Sequence, residues 1–323
     1  MTHEIPPGLP GLPAPPPPGA AALPAGTYAG QVVLVTGGGS GLGKAIAAEF
    51  ARLGADLVIA GRRAERLEAA QEELAAVPGA GRVTAAVCDI RDPERIAEVF
   101  DAAEAALGPP DVLVNNAAAN FPCPAEDLSP NAWRAVVDIT LTGTWFMTRE
   151  FGRRHLAASA PGSIVNVGAS YAWTGGPGFA HSAAAKAGVK NLVETLAVEW
   201  GPYGIRINGL VPGLFPHADM TEDIRAGLDR AASDAHAAHA APDAPDALAA
   251  LAARDAKDAR QPALRVGAPR ELGWAATFLA SPYARFITGH TLVVDGANWQ
   301  RRSLVSPEVV PVRAQLGRGP FSP

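Results

Sequence analysis

The stretch Gln31-Val-Val-Leu-Val-Thr36-Gly37-Gly38-Gly39-Ser40-Gly41-Leu42-Gly43 decides the fold. Val32 to Val35 is an apolar run of the length of one buried strand. Glycines follow at once, and a helix-compatible stretch runs from Leu42 to Leu53 behind them. In strand–turn–helix order, such glycines let the backbone turn tightly and approach a pyrophosphate. The phosphates then lie at a helix N-terminus, against its exposed N–H groups. Gly37, Gly41 and Gly43 are spaced more widely than in the ordinary Gly-x-Gly-x-x-Gly turn.

Outward from this turn the pattern alternates. Apolar runs at Asp56–Ala60, Arg82–Val87, Asp111–Val114, Ser163–Val167, Ile205–Leu210 and Thr291–Val294 read as strands. Helices are expected at Glu65–Leu74, Pro93–Leu107, Asn131–His155, Ser182–Trp200 and Arg270–Ala280. Strands apolar on both faces and alternating with helices predict a parallel sheet covered on both sides. The fold class is therefore α/β, a single doubly wound parallel sheet of Rossmann type.

The chain has 323 residues, enough for one large core or two modest ones. A net charge of −5 and the lack of a basic stripe argue against a nucleic-acid partner. No apolar run reaches the roughly 18 residues of a membrane span. Cys88 and Cys123 stand in unrelated contexts, which predicts small buried thiols in a reducing compartment. No metal site is expected. Residues 1–26, with Pro15-Pro16-Pro17-Pro18, are predicted to be extended and mobile ahead of a 27–300 domain. They make a poor signal peptide, and the final Gly319-Pro-Phe-Ser-Pro323 is no peroxisomal address, so cytoplasm is the expected location. Residues 217–261 are rich in Ala, Asp and His but poor in large apolar side chains. They read either as a cap inserted over the site or as a surface insertion without a role. Residues 301–323 form a Pro/Val-rich tail outside the core.

The second strand runs into Gly61-Arg62-Arg63, where an NAD-binding chain needs a carboxylate for the adenosine ribose. Arginines there offer bidentate contacts to a 2′-phosphate, so NADP(H) is the expected cofactor, with Arg62 as its principal ligand.

Four motifs in this order resemble the short-chain dehydrogenase/reductase family. They are Thr36-Gly37-x-x-x-Gly41-x-Gly43, Asn115-Asn116-Ala117, Lys186 and Val294-Asp295-Gly296. The resemblance assigns Gly37 to Gly43, Asn116, Pro212, Gly213 and Lys186 to the cofactor. In that family the lysine binds the nicotinamide ribose, and a tyrosine four residues before it exchanges a proton while hydride moves. This chain departs from the pattern. Ser182 stands at the tyrosine position, Ala169 at that of the family serine and Thr140 at that of the family asparagine.

A tyrosine does occur fifteen residues before Lys186, at Tyr171. With Asn115-Asn-Ala-Ala-Ala-Asn120-Phe121, Leu128-Ser129-Pro-Asn-Ala-Trp133, Ser182 and Lys186, it resembles the NADPH-dependent 2,4-dienoyl-CoA reductases. That resemblance implies a catalytic set of Tyr171, Asn120, Ser182 and Lys186. It places Asp89 on the adenine, Arg91 on the CoA portion of an acyl-CoA substrate, and Phe121 and Ser129 on the substrate side. Ala119, where the subfamily has glycine, and the long 217–261 insertion are departures. A homotetramer or homodimer is implied through the two long helices.

The chemistry agrees with the displacement. Ketone reduction needs a proton donor at the carbonyl, and a serine hydroxyl is too weak an acid to replace a phenol. Conjugate reduction instead sends charge to a thioester oxygen, which Tyr171 and Asn120 would stabilise as preorganised donors. Lys186 is expected to favour an ionised or strongly polarised Tyr171. Two alternatives stay open: a carbonyl or 3-oxoacyl reductase (or secondary-alcohol dehydrogenase) improvising with Tyr171, and a non-catalytic NADP-binding protein. Tyr171 also reads as a half-buried loop residue, Asn120 as a turn residue, and His181 as a supporting or solvent-facing group. The six tryptophans are expected in the core and between helices, with Trp173 a possible pocket wall.

Overall fold

The computed structural model describes residues 12–17, 19–217, 261–299 and 312–319. Among them the strands are β1 (Val32–Thr36), β2 (Asp56–Gly61), β3 (Val83–Val87), β4 (Val112–Asn115), β5 (Gly162–Val167), β6 (Ile205–Pro212) and β7 (Thr291–Val294). All pair in parallel, in the order β3-β2-β1-β4-β5-β6-β7. The helices are α1 (Gly41–Arg52), α2 (Ala64–Ala75), α3 (Pro93–Ala106), α4 (Pro130–Val137), α5 (Gly143–Ala158), α6 (Tyr171–Thr174), α7 (Ala180–Trp200), α8 (Pro269–Ala280) and α9 (Val312–Gln315).

Period-two alternation in β1 separates two cores. Val33 and Val35 join Ile46, Phe50, Leu57, Leu67 and Leu272 under α1, α2 and α8. Val32 and Leu34 join Val58, Phe100, Phe151, Leu196 and Trp200 under α3, α5 and α7. Each such side chain, once buried, contributes about 1.5–3 kcal/mol. Both faces are covered, which explains why β1 carries no polar alternation. Chain order reverses between β1 and β4, and the crevice beyond the strand ends at such a switch point is where ligands bind.

The doubly wound sheet matches expectation, and the differences are local. The expected helix Asn131–His155 is split by a π-turn at Asp138–Thr142 between α4 and α5. The extra residue in that turn directs Thr140 at the backbone of Ala119, where its hydroxyl accepts from the N–H at 3.2 Å and donates to the carbonyl at 3.3 Å. Tyr171 opens a one-turn helix that periodicity did not announce.

The described residues of the N-terminal segment contact the body of the fold. The Leu12 N–H donates to the Ala263 carbonyl, Arg265 Nε donates to the Pro13 carbonyl, and Leu23 packs on the core. Residues 1–11 and nearly all of the 217–261 insertion (218–260) lie outside the described residues. The tail expected over 301–323 contains α9. Among the described residues no helix is long and apolar enough to cross a membrane, and no cluster of His, Cys, Asp or Glu can hold a metal.

Candidate active site

The chain leaves β1 over Gly37, whose φ is +67°. A Cβ there would lie 2.7 Å from Asn116 Nδ2, and one at Gly43 only 2.3 Å from the Gly37 carbonyl oxygen. Glycine alone lets the turn fold this tightly onto α1. Ser40 is the N-cap of α1 with extended backbone, and its side chain caps none of the helix N–H groups. No acidic side chain stands in the first turn of α1, so the positive end of the helix faces the cleft without a carboxylate to repel an anion.

Thr36 ties this turn to the next motif. Its hydroxyl donates to the Val114 carbonyl and accepts the N–H groups of Asn116 (3.0 Å) and Ala117 (3.1 Å). Asn116 Nδ2 donates back to the Thr36 carbonyl at 3.1 Å. Beneath them Asn115 Nδ2 donates to Thr148 Oγ1 and Asn166 Oδ1, at 2.9 and 2.8 Å. The asparagine motif is thus the floor of the switch point.

Above that floor lies a cleft of about 490 Å³. Of the residues expected at a cofactor, Gly37, Gly39, Ser40, Gly41, Leu42, Arg62, Asp89, Asn116 and Lys186 line it. The others shape it from behind. Gly38 backs onto Ile59 and Gly43 onto Gly37. Pro212 pairs with Val294, and a Cβ on Gly213 would lie 2.4 Å from that of Asp295. Arg63, Arg66, Cys88, Ile139 and His217 also line the cleft. Arg66 stands in the first turn of α2, just after Arg62 and the N-cap Arg63. For Cys88, Ile139 and His217 no sequence signal existed. Burial raises the Cys88 thiol to about 11, so it stays protonated.

At one end of the cleft β2 stops in Gly61, and Arg62, Arg63 and Arg66 stand exposed around it. Beside them Arg91 Nε donates to both oxygens of Asp89, at 3.0 and 3.1 Å, and its hydrogen bonds hold the Asp89 carboxyl below the usual range. The two residues assigned to adenine and CoA are therefore bonded to each other.

At the other end Lys186 rises from α7, almost wholly buried, and its Nζ donates to the Val167 carbonyl. Burial lowers its pKa to about 8. Tyr171 Oη lies 3.0 Å from Ser182 Oγ and accepts from Asn120 Nδ2 at 3.3 Å. The four expected catalytic residues comprise this hydrogen-bonded trio and the lysine one turn further along α7. Asn120 Oδ1 is buried with no hydrogen-bond partner among the described residues.

The phenol differs from expectation in charge. Burial, the larger effect, raises its pKa, and the Ser182 hydrogen bond lowers it less. That direction favours the protonated phenol over an ionised one.

Three further residues make contacts within the chain. Ser129 caps α4 by accepting the Ala132 N–H at 3.2 Å and is exposed. Phe121 packs edge-on against His181, with ring centroids 4.6 Å apart. His181 does not face solvent: it is fully buried, and its Nδ1 accepts the Ser182 N–H. Trp133 and Trp173 are exposed at 40% and 37%, so not all tryptophans are core residues; Trp173 stacks on Trp299.

This glycine cradle, asparagine floor and buried lysine define a class, and sequence comparison agrees. The short chain dehydrogenase model matches residues 31–229, and an Enoyl-(Acyl carrier protein) reductase model matches residues 233–297. The chain belongs to the short-chain dehydrogenase family and is an oxidoreductase. Within that family it is 37% identical over 270 residues to a probable 2,4-dienoyl-CoA reductase [(2E)-enoyl-CoA-producing] of Bacillus subtilis, covering 83% of this chain and 96% of that one. It is 36% identical to a peroxisomal 2,4-dienoyl-CoA reductase [(3E)-enoyl-CoA-producing] of Danio rerio, covering 83% and 81%. A crystal structure of a short chain dehydrogenase from Bacillus anthracis superposes with a TM-score of 0.69 at 37% identity, covering 83% of this chain and 96% of that one.

Proposed function

We propose that the protein is an NADPH-dependent reductase of conjugated acyl-CoA esters, converting a 2,4-dienoyl-CoA to a 3-enoyl-CoA. One observation carries the reading: the Tyr171 hydroxyl meets Ser182 Oγ and Asn120 Nδ2 beside α7, so a phenol reaches the site from a different place in the chain. The glycine cradle fits a dinucleotide, and Arg62, Arg63 and Arg66 at its adenosine end favour a 2′-phosphate.

NADPH, when bound, supplies hydride to the far end of the diene. The electron pair displaced there moves through the conjugated system to the thioester oxygen. Tyr171 Oη–H and the Asn120 amide are the donors for that oxygen, and the buried, neutral phenol keeps its proton to donate. Lys186, anchored by Val167, holds the nicotinamide ribose. Protonation of the dienolate at the α-carbon gives the 3-enoyl ester; protonation at the γ-carbon gives the 2-enoyl ester. With Tyr171 and Asn120 read as the donors to the thioester oxygen, the proton comes from a water rather than from the phenol, and delivery beside that oxygen favours the α-carbon. The relatives named above carry both products in their names, so regiochemistry belongs in the test.

The experiment follows NADPH consumption with a 2,4-dienoyl-CoA beside a 3-oxoacyl-CoA, then locates the product double bond by NMR. Turnover of the dienoyl ester alone is expected. Turnover of the ketone alone refutes the reading.

A further inference from the structure

Residues 312–319 follow the end of the family match at residue 297, yet they are anchored to the loops that carry the reacting groups. Arg313 Nη1 lies 2.7 Å from Asp127 Oδ1 and 3.2 Å from Glu126 Oε1. Arg318 Nη1 lies 2.7 Å from Asp127 Oδ2. Two guanidinium groups thus hold both oxygens of one carboxylate. Arg313 Nε also donates to the Gly319 carbonyl, and the Arg318 N–H to the Arg313 carbonyl, which closes the segment into a hook. The Arg313 and Asp127 side chains are 21% and 24% exposed and those of Glu126 and Arg318 40% and 45%, and a shared network of this kind holds better than a lone surface pair.

Val312 also neighbours a second loop: its Cγ1 stands 3.5 Å from where a Cβ on Gly178 would be, so a side chain at 178 would reach it. The Gly178 carbonyl in turn accepts the Cys123 N–H at 2.8 Å. Gly178 precedes Phe179, whose ring is parallel to that of Tyr171 at 6.2 Å. Glu126 and Asp127 end the loop that begins with Asn120 and Phe121. The hook therefore anchors the loop of Asn120 directly and reaches the loop of Tyr171 through the Cys123–Gly178 hydrogen bond.

We propose that residues 312–319 are a positioning segment for the reductase site. They clamp these two loops together, which sets both the affinity for the acyl substrate and the alignment of the Tyr171 and Asn120 donors. Residues 312–319 line none of the dinucleotide cleft, although Asn120 does, so the cofactor is expected to respond less than the acyl substrate. The inference rests on the reading of Tyr171 and Asn120 as the reacting pair.

The test uses the full chain in three forms: wild type, Arg313→Ala with Arg318→Ala, and Arg313→Lys with Arg318→Lys. Amide hydrogen exchange without substrate is measured over residues 120–128 and 175–180. The alanine variant is expected to exchange about 10-fold faster in both loops, and the lysine variant, which keeps both charges, to retain much of the protection. In turnover, the alanine variant is expected to raise KM for the acyl ester about 5-fold and lower kcat, with NADPH affinity within about twofold. Unchanged exchange in the two loops overturns the clamp, and so does a parallel loss of NADPH affinity. If the wild type turns over no dienoyl ester, the proposed function fails while the exchange result still decides the clamp.

Discussion

Tyr171 Oη and Ser182 Oγ lie 3.0 Å apart, although only Ser182 stands four residues before Lys186. The one-turn helix at Tyr171–Thr174 turns the phenol back over the start of α7, where a tyrosine at 182 would have placed its own. Replacing Tyr171 with Phe removes one of two donors to the developing charge. The kcat is expected to fall about 10²–10³-fold. The NADPH dissociation constant should stay unchanged, because Tyr171 does not line the cofactor cleft. Steady-state kinetics and NADPH fluorescence titration on the same preparation check this, and a Tyr171→Phe enzyme of full activity refutes the role. Ser182→Ala is expected to cost less, since it removes a partner of the phenol and no donor to the substrate.

Thr140 is expected to matter although it touches no reactant. Its hydroxyl is the partner of both backbone groups of Ala119, next to Asn120. Thr140→Val keeps the shape and deletes both bonds, which should cost about 1–3 kcal/mol of stability. It should also lower kcat through a misplaced Asn120. Thr140→Ser should restore most of both. Urea denaturation beside kinetics measures the pair, and a Val variant as stable and active as wild type refutes the clamp.

Much of this was legible beforehand, for physical reasons. The strands are apolar on both faces and the glycine turn has one structural use, so sheet, switch point and dinucleotide cleft follow from residues 31–43 and their echoes. The spacing of Tyr171, Ser182 and Lys186 likewise pointed to the displaced phenol. What stayed hidden depends on long-range packing. The π-turn exists because Thr140 bonds to Ala119, twenty-one residues back, and no local periodicity encodes that. Arg91 and Asp89 read as two ligands because their mutual pairing appears only in three dimensions. The fate of the tail was set by Asp127, nearly two hundred residues upstream.

Cofactor choice is expected to turn on Gly61. A Cβ there would meet Leu67 Cδ2 at 3.5 Å, ordinary contact, and φ is not positive, so a side chain fits. Gly61→Asp supplies the carboxylate that a ribose 2′-hydroxyl needs and repels a 2′-phosphate. Combined with Arg62→Ala, it should weaken NADPH and strengthen NADH, each by about 10–100-fold, the range of a charge-assisted hydrogen bond. The ratio of kcat/KM with the two cofactors reads it. A double variant that keeps the wild-type preference refutes the assignment of Arg62.

Lys186 predicts a pH dependence whose sign can be worked out. Burial lowers its pKa from 10.5 in an open chain to about 8 in the fold. Between those values the unfolded chain holds the extra proton, so this group's contribution to stability rises with pH across the window and is constant below it. NADPH binding runs the other way. An ammonium offers the ribose three donors and an amine only two, so the cofactor favours the protonated form and should take up a proton when it binds above pH 8. Apparent NADPH affinity is therefore expected to weaken as pH rises through about 8, by no more than about tenfold per pH unit for one linked proton. Fluorescence titrations of NADPH at a series of pH values measure the slope. Lys186→Met should bind more weakly at neutral pH and lose the slope. A wild-type profile that is flat from about pH 7 to 9.5 refutes the link between this proton and the cofactor.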